Sequence, residues 1–174
     1  MNQRRKQLTL FVDETQSKAI EKIRLTFNPK QYELIKSHVT LCREDELEEL
    51  EDILDNLLAL NYEPVAMSLG PMKRFAEGKG VLIPILGNST NFHRLRAAIL
   101  KGGVDAPRVQ EPHITLMHPR NSICTDPIFE LIKSYSLPDT LQFTKVSLIE
   151  QEIGKKWHTL REFELVRACL GKHD

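Results

Sequence analysis

Two short stretches of the sequence, "SHVTL" and "PHITL", repeat one pattern of residues that are able to do acid–base chemistry. Alternate side chains of a β-strand point to the same face, so His38 should lie beside Thr40, and His113 beside Thr115. The valine or isoleucine between them, and the leucine that follows, should point into the opposite, apolar layer. Each stretch therefore presents an imidazole and a hydroxyl side by side on an otherwise apolar strand.

The repetition matters more than either copy. A single histidine on a strand is more often a hydrogen-bonded structural residue than a catalyst, and threonine is an ordinary strand residue. Average residue usage predicts an H-[VIL]-T-L tetrapeptide in roughly one chain in a hundred or fewer. Two copies in one chain, each following a helical segment and preceding another, indicate a shared function.

Two such units facing one cavity suit chemistry at a phosphodiester. Two imidazoles divide the work of general acid and general base near neutral pH. One of them deprotonates the attacking water while the other protonates the leaving oxygen. The two threonine hydroxyls donate hydrogen bonds to the non-bridging oxygens, where charge develops during in-line displacement. The sequence leaves open which histidine is the acid and which is the base.

Paired H-x-T motifs about half a domain apart resemble the signature of the 2H phosphoesterase superfamily, which includes RNA 2',3'-cyclic phosphodiesterases and proteins labelled 2'-5' RNA ligases. The resemblance covers nearly the whole chain by element order, and its identity is concentrated in "HVTL" and "HITL". It implies an α+β fold of two lobes related by a pseudo-twofold axis, with antiparallel sheets around a central cleft and helices on the outside. It also implies metal-independent, cofactor-free catalysis by His38, Thr40, His113 and Thr115.

The resemblance implies hydrolysis of a 2',3'-cyclic phosphate on an RNA end or a nucleotide, with 2'-5' RNA ligation as a related activity. One alternative is a non-catalytic RNA- or nucleotide-binding module with the same fold. Another is a metal site in which His38 and His113 combine with His118 or His93. The sequence contains no HxH or HExxH spacing and no carboxylates clustered near either motif, which disfavours a metal.

Further residues are candidates for binding the substrate. Many RNA-acting relatives in the superfamily carry an arginine five positions after the second histidine, whereas this chain has His118 there. Arg120 follows shortly after, and Arg43 occupies the equivalent place after the first motif. Phe75 and Lys79, in "MKRFAEGKG", combine an aromatic face with charge, as a nucleotide-binding loop does. The alternatives are solvated surface arginines and an ordinary hairpin tip.

The intervening segments predict the order β-α-β-α-β-β-α-β-α-β-β, which favours α+β over a doubly wound parallel sheet. Asp13, Asp45, Asn88 or Ser89, and Asp126 are the expected helix N-caps. Strands are expected at "QLTLFV", the two motifs, "EPVAMSLGPMKRF", "GVLIPIL", "TLQFTKVSLIEQEI" and "WHTLREFELV".

Length and composition bound the remaining possibilities. The 174 residues fit one domain, 1–174, and the 24 basic and 24 acidic residues cancel, which disfavours tight binding to long duplex nucleic acid. Cys42, Cys124 and Cys169 lack CxxC spacing, which fits a reducing cytosol.

Strand parity places Cys42 with His38 as cleft lining. No apolar run approaches a membrane span or a signal peptide, so we expect a cytoplasmic monomer.

Overall fold

The computed structural model describes residues 3–87 and 89–166 as an α+β fold built on one antiparallel sheet. The strands are β1 (Arg4–Phe11), β2 (His38–Cys42), β3 (Val65–Leu69), β4 (Lys73–Arg74), β5 (Val81–Leu86), β6 (His113–Met117), β7 (Thr140–Phe143), β8 (Lys145–Glu152) and β9 (His158–Glu164). The helices are α1 (Lys18–Phe27), α2 (Pro29–Leu34), α3 (Leu50–Leu58), α4 (Thr90–Leu100) and α5 (Asp126–Lys133), with a short 3₁₀ helix at Glu44–Glu46.

The two motif strands are neighbours at the centre of the sheet. The strand order is β7-β3-β5-β6-β2-β1-β8-β9, with β4 added beside β5, and Val39 of β2 pairs with Ile114 of β6. Four strands of this order thus lie on either side of the β2–β6 junction. The units β1-α1-β2 and β5-α4-β6 correspond across it, which confirms two related halves around a central seam.

The halves are interlocked rather than consecutive. The chain returns after β7 to add β8 and β9 beside β1, so the first half contains both ends of the described chain. Helix α1 contacts β6 and helix α4 contacts β2, so each helix packs beneath the motif strand of the other half. The apolar side chains of both motifs, Val39 and Ile114 among them, are fully buried on this helical side.

A β-bulge ends each motif at the same place. Along β1, Leu8 pairs with Cys42 and the next residue, Thr9, pairs with Thr40, so Leu41 is the extra residue. Along β5 the pairing skips Leu116 in the same way. A bulge reverses the alternation of side chains beyond it. This explains why two successive residues are buried at the end of each motif strand, Leu41 with Cys42 and Leu116 with Met117.

The predicted helix starts are partly wrong. Asp13 caps an isolated turn: its Oδ1 accepts from the amides of Thr15 (2.8 Å) and Gln16 (3.0 Å), and α1 begins only at Lys18. These hydrogen bonds, with the Thr15 hydroxyl foremost, lower the pKa of Asp13 to about 2. A second helix follows α1 at once, and Pro29 occupies the first turn of this α2, a position that proline favours.

The remaining boundaries differ from prediction in smaller ways. Asp45 lies in the 3₁₀ helix rather than capping α3, and Thr125 rather than Asp126 caps α5. Ser89 is the N-cap of α4, while the alternative, Asn88, lies outside the described residues. Two expected long strands are each divided, "EPVAMSLGPMKRF" into β3 and β4 and "TLQFTKVSLIEQEI" into β7 and β8. In the second case, the division lets β7 and β8 join opposite halves of the sheet.

A buried ion pair connects the two halves behind the motif strands. Arg96 of α4 pairs with Glu46, and both side chains are about 5% exposed. The Arg96 guanidinium also donates to the carbonyl of Leu41 in β2 (2.8 Å) and to that of Arg108 (2.9 Å), on the segment leading to β6. One side chain therefore ties together the backbone around both motifs.

None of the helices within 3–87 and 89–166 is both long enough and apolar enough to cross a bilayer.

Arg96→Ala should destabilise the protein because it removes the buried partner of Glu46 and leaves that carboxylate only the longer contact with Arg108, at 3.8 Å. We expect a loss of roughly 3–5 kcal/mol in the free energy of unfolding, measured by urea denaturation. Arg94→Ala, at an exposed position on the same helix, is the matched control and should change stability by about 0.5 kcal/mol or less. A loss at Arg96 no larger than that at Arg94 would contradict this role.

Candidate active site

The cleft on the polar side of the β2–β6 junction brings together most of the residues singled out in the sequence. Its volume is about 370 Å³. Eight of the nine candidate residues line it: His38, Thr40, His113, Thr115, Arg43, Phe75, His118 and Arg120. Lys79 does not; its ammonium lies 4.0 Å from Glu77 at the exposed tip of the β4–β5 hairpin.

The two histidines are held in equivalent ways. His38 Nδ1 lies 2.8 Å from the carbonyl oxygen of Lys36, and His113 Nδ1 lies 2.9 Å from that of Glu111. A carbonyl only accepts, so Nδ1 carries the proton in both rings. In the neutral tautomer, Nε2 of each histidine is then left with a lone pair for chemistry.

An aromatic ring meets each histidine edge to face. Phe11 of β1 lies 6.0 Å from His38 between ring centroids, and Phe75 lies 5.8 Å from His113. Phe75 depends on a glycine: a Cβ at Gly80 would stand 2.9 Å from the Phe75 ring and 2.4 Å from the carbonyl oxygen of Met117. Only glycine fits between these groups, so Gly80 is needed for this arrangement.

The first threonine is oriented by a neighbouring strand. Gln7 Nε2 donates to Thr40 Oγ1 at 3.1 Å, so the hydroxyl acts as an acceptor in this bond and retains its own proton to donate. Gln7 lies on β1 beside β2 and also lines the cleft. Thr40 is thus prepared to donate a hydrogen bond to an anionic ligand.

A buried arginine and glutamate support the segment before His38. Arg24 is 1% exposed; it donates to the carbonyl of Ile35 (2.7 Å) and pairs with Glu21 (2.7 Å). Glu21 accepts from the amide of Ser37 at 2.5 Å. The ring of His38, half-buried above this pair, has its pKa lowered to about 4, first by desolvation and then by the positive charge of Arg24, against the opposing Lys36 hydrogen bond.

His118 is a neutral donor at the cleft wall. Its Nδ1 accepts a hydrogen bond from the amide of Arg120 at 3.1 Å, which places the ring proton on Nε2. Burial, with the charges of Arg120 and Arg5, lowers its pKa and favours this uncharged form. The buried Asn28 fixes the loop by accepting from the His118 amide at 2.8 Å. His118 therefore offers a hydrogen bond where the resemblance led us to expect a charge.

Basic side chains nevertheless dominate the cleft. Arg5, Lys6, Arg43 and Arg120 all line it, and Glu44 is its one acidic lining residue among those described. The neutral chain therefore carries a local positive patch around the two motifs. Such a patch attracts phosphate without requiring a basic protein.

The alternative metal site is not supported by the arrangement of ligands. His93 lies on exposed α4 surface against Phe92, away from the cleft. Within the part of the chain that the structure describes, no three His, Cys, Asp or Glu side chains are grouped to hold a metal ion.

The expectation that Cys42 lines the cleft is wrong. The bulge at Leu41 turns Cys42 toward the core, where it is fully buried and burial raises the pKa of its thiol to about 12. Cys42 and Cys124 are both free thiols. Cys169 lies outside the described residues.

Several cleft residues were not predicted from the sequence. Arg24 had a usable signal, because it falls four residues after Ile20 on the apolar face of α1, where a charge requires a partner. Gln7 and Arg5 alternate on β1, which indicates a shared polar face. Phe11 and Trp157 carried no comparable signal, since their contacts depend on pairing between distant strands.

Comparison with known proteins identifies the family of the chain. Residues 12–155 match the model of the 2'-5' RNA ligase superfamily. No curated protein sequence matches the chain.

Solved structures show the same fold. Escherichia coli LigT complexed with 3'-AMP superposes with a TM-score of 0.69 and 14% identity, over 94% of this chain and 99% of that one. LigT complexed with phosphate gives 0.68 and 14%, over 96% and 100%. TT0787 of Thermus thermophilus gives 0.66 and 19%, over 94% and 99%. The match to the family model over residues 12–155 shows that the chain belongs to the 2'-5' RNA ligase superfamily, a group of 2H phosphoesterases.

Proposed function

We propose that the protein is a metal-independent phosphodiesterase that hydrolyses the 2',3'-cyclic phosphate of an RNA end or a nucleotide. The observation that carries the proposal is the equivalence of the two motifs in one cleft. Each supplies an imidazole whose Nδ1 is engaged by a backbone carbonyl, together with a hydroxyl on the same strand face. Two matched proton carriers around one basic cavity suit displacement at a phosphodiester better than binding alone.

The reaction follows from these groups. One neutral imidazole accepts a proton through Nε2 from a water molecule, whose oxygen attacks phosphorus. The bond from phosphorus to one ribose oxygen breaks on the opposite side, and the second imidazole, protonated, donates its Nε2 proton to that oxygen. Thr40 and Thr115 donate hydrogen bonds to the non-bridging oxygens as their charge grows. The product is a phosphomonoester, and the two histidines have exchanged protonation states.

His38 is the better candidate for the base. Its lowered pKa keeps it neutral in the unliganded protein at neutral pH, which is the state that accepts a proton. His113 then takes the role of acid. Charge stabilisation falls to the guanidinium groups of Arg43 and Arg120, with His118 adding a neutral hydrogen bond.

An anionic, phosphate-bearing ligand is supported by the positive charge of the cleft and by the ligands of solved proteins with the same fold. The LigT structures hold 3'-AMP or phosphate, both of which carry the anionic group that this cleft would bind. Hydrolysis is proposed here rather than ligation, because a water molecule is the simplest nucleophile for a histidine pair.

Single substitution of either motif histidine should lower turnover of a 2',3'-cyclic nucleotide in the presence of excess EDTA. His38→Ala and His113→Ala should each cost roughly 10²–10⁴-fold in kcat, the usual contribution of general acid–base catalysis. Hydrolysis is followed by chromatography of the product, which also identifies the position of the phosphate. His93→Ala, an exposed histidine outside the cleft, is the matched control and should keep the parent rate.

The result that overturns the proposal is hydrolysis at the parent rate by a variant lacking both motif histidines. A parent protein that binds the nucleotide but never hydrolyses it, with His→Asn variants binding equally well, supports the alternative of a non-catalytic binding module. Activity that EDTA abolishes and a divalent metal restores contradicts metal independence.

The pH dependence of kcat/KM should reveal the base. Protonated His38 accepts no proton, so activity is lost as pH falls through its pKa in the free protein. Because that pKa is lowered from 6.5 to about 4, the acidic limb should lie nearer pH 4 than pH 6.5, with the alkaline limb reporting the acid. An acidic limb at or above pH 6.5 would exclude His38 as the base.

A further inference from the structure

A second cavity, which we call the side cavity, opens next to the catalytic cleft. Its volume is about 430 Å³, and Ile35 and Trp157 line both spaces. It adjoins the segment that leads into the first motif, residues 34–36. Phe11, whose ring meets His38, lines it, and so does Lys36, whose carbonyl holds His38 Nδ1. The two cavities therefore adjoin each other at Ile35 and Trp157.

The side cavity has an aromatic and apolar wall with a polar rim. Phe11 and Trp157 supply rings, and Leu34 and Ile35 supply aliphatic surface. Such a wall suits a flat heterocycle, because base stacking on aromatic side chains tolerates any base. The volume lies within the range typical of small-molecule sites.

The charges of the rim cancel. Lys36 lies 3.4 Å from Glu14, and Lys145 lies 3.3 Å from Glu162. The third basic side chain on the rim, Lys156, is matched by the carboxylate of Asp13, whose lowered pKa keeps it ionised. A balanced rim gives a phosphate no net attraction, whereas carboxylates and lysines both hydrogen-bond to ribose hydroxyls and base edges.

The junction between the two cavities is different, because it is basic and rigid. The Arg5 guanidinium stacks over the Trp157 ring, 5.0 Å from its centroid, and donates to Gln151 through Nε (2.9 Å) and Nη2 (2.7 Å). The Trp157 amide donates to the carbonyl of Leu34 at 2.9 Å. A cation of the cleft thus lies on Trp157, the residue that both cavities share, and the backbone of this tryptophan is fixed.

We propose that the side cavity binds the nucleoside that adjoins the terminal nucleotide, with the phosphodiester between them at Arg5. The order of environments along the path carries this assignment: a basic cleft with two proton carriers, a cation at the junction, then an aromatic space without net charge. That order matches the last two units of an RNA strand: the terminal phosphate and its nucleoside in the cleft, the connecting phosphodiester at the junction, and the adjoining nucleoside in the side cavity. The inference rests on the proposed function and extends it, since it makes an oligonucleotide end the preferred substrate over a cyclic mononucleotide.

Binding tests this assignment without requiring turnover. Adenosine 3'-monophosphate is expected to occupy the cleft alone, whereas adenylyl-(3'→5')-adenosine 3'-monophosphate adds one nucleoside and the phosphodiester that connects it. Trp157 is the single tryptophan of the chain, so its fluorescence reports on the junction directly. We expect the dinucleotide to bind about 5- to 100-fold more tightly by calorimetry, the range that one stacked base contributes, and to quench the tryptophan more strongly.

Substitutions of Trp157 test whether base stacking causes the tighter binding of the dinucleotide. Trp157→Ala should reduce the advantage of the dinucleotide to less than about threefold, and Trp157→Phe, which keeps a ring, should retain most of it. Leu160→Ala is the matched control: Leu160 is 51% exposed on β9 and lines neither cavity, so the advantage should be unchanged. Urea unfolding of each variant verifies that it is folded.

Two results overturn the assignment: a dinucleotide that binds no more tightly than the mononucleotide, or an advantage that survives in Trp157→Ala. The nucleoside subsite and the proposed phosphodiesterase activity can fail independently of each other. A protein that shows the dinucleotide advantage but hydrolyses no cyclic phosphate keeps the nucleoside subsite and loses the phosphodiesterase assignment.

Discussion

The pairing of β2 with β6 is the constraint on which the rest of the structure depends. The register Val39↔Ile114 places the two motifs side by side, with their apolar residues against the helices and their histidines and threonines in one cleft. A shift of one residue in either strand would exchange these faces and bury the imidazoles. Burial of both apolar faces therefore fixes the position of the polar ones, so the same contacts that form the core also align the site.

Charged residues beneath the sheet complete this alignment. Arg24 and Arg96 lie on the helices that precede the two motif strands, and each donates to backbone carbonyls leading into a motif. Arg96 also reaches Leu41 of the other half. Each arginine is compensated by a glutamate, as buried charge requires. The pseudo-symmetry of the site thus extends from the two histidines to the side chains that hold their strands.

Much of this could be predicted from the sequence. Periodicity identified the α+β class and most elements, and strand parity placed His38, Thr40, His113 and Thr115 on one face. Parity failed at Cys42, because a bulge is a feature of pairing between strands that neither strand reveals alone. Strand parity could not identify Phe11 or Trp157 as neighbours of the site for a similar reason, because their contacts come from distant segments of the chain. The division of "TLQFTKVSLIEQEI" into β7 and β8 likewise follows from the topology, which sends the two strands to opposite halves of the sheet.

The central claim is that the two motifs form one catalytic unit. The most direct test compares kcat for cyclic phosphate hydrolysis in His38→Ala, in His113→Ala and in the double variant. Groups that act in one concerted step are strongly non-additive, so the double variant should be about as slow as the slower single variant. If the two costs instead multiply, so that the double variant is slower by the product of the single effects, the histidines act independently and the claim is wrong.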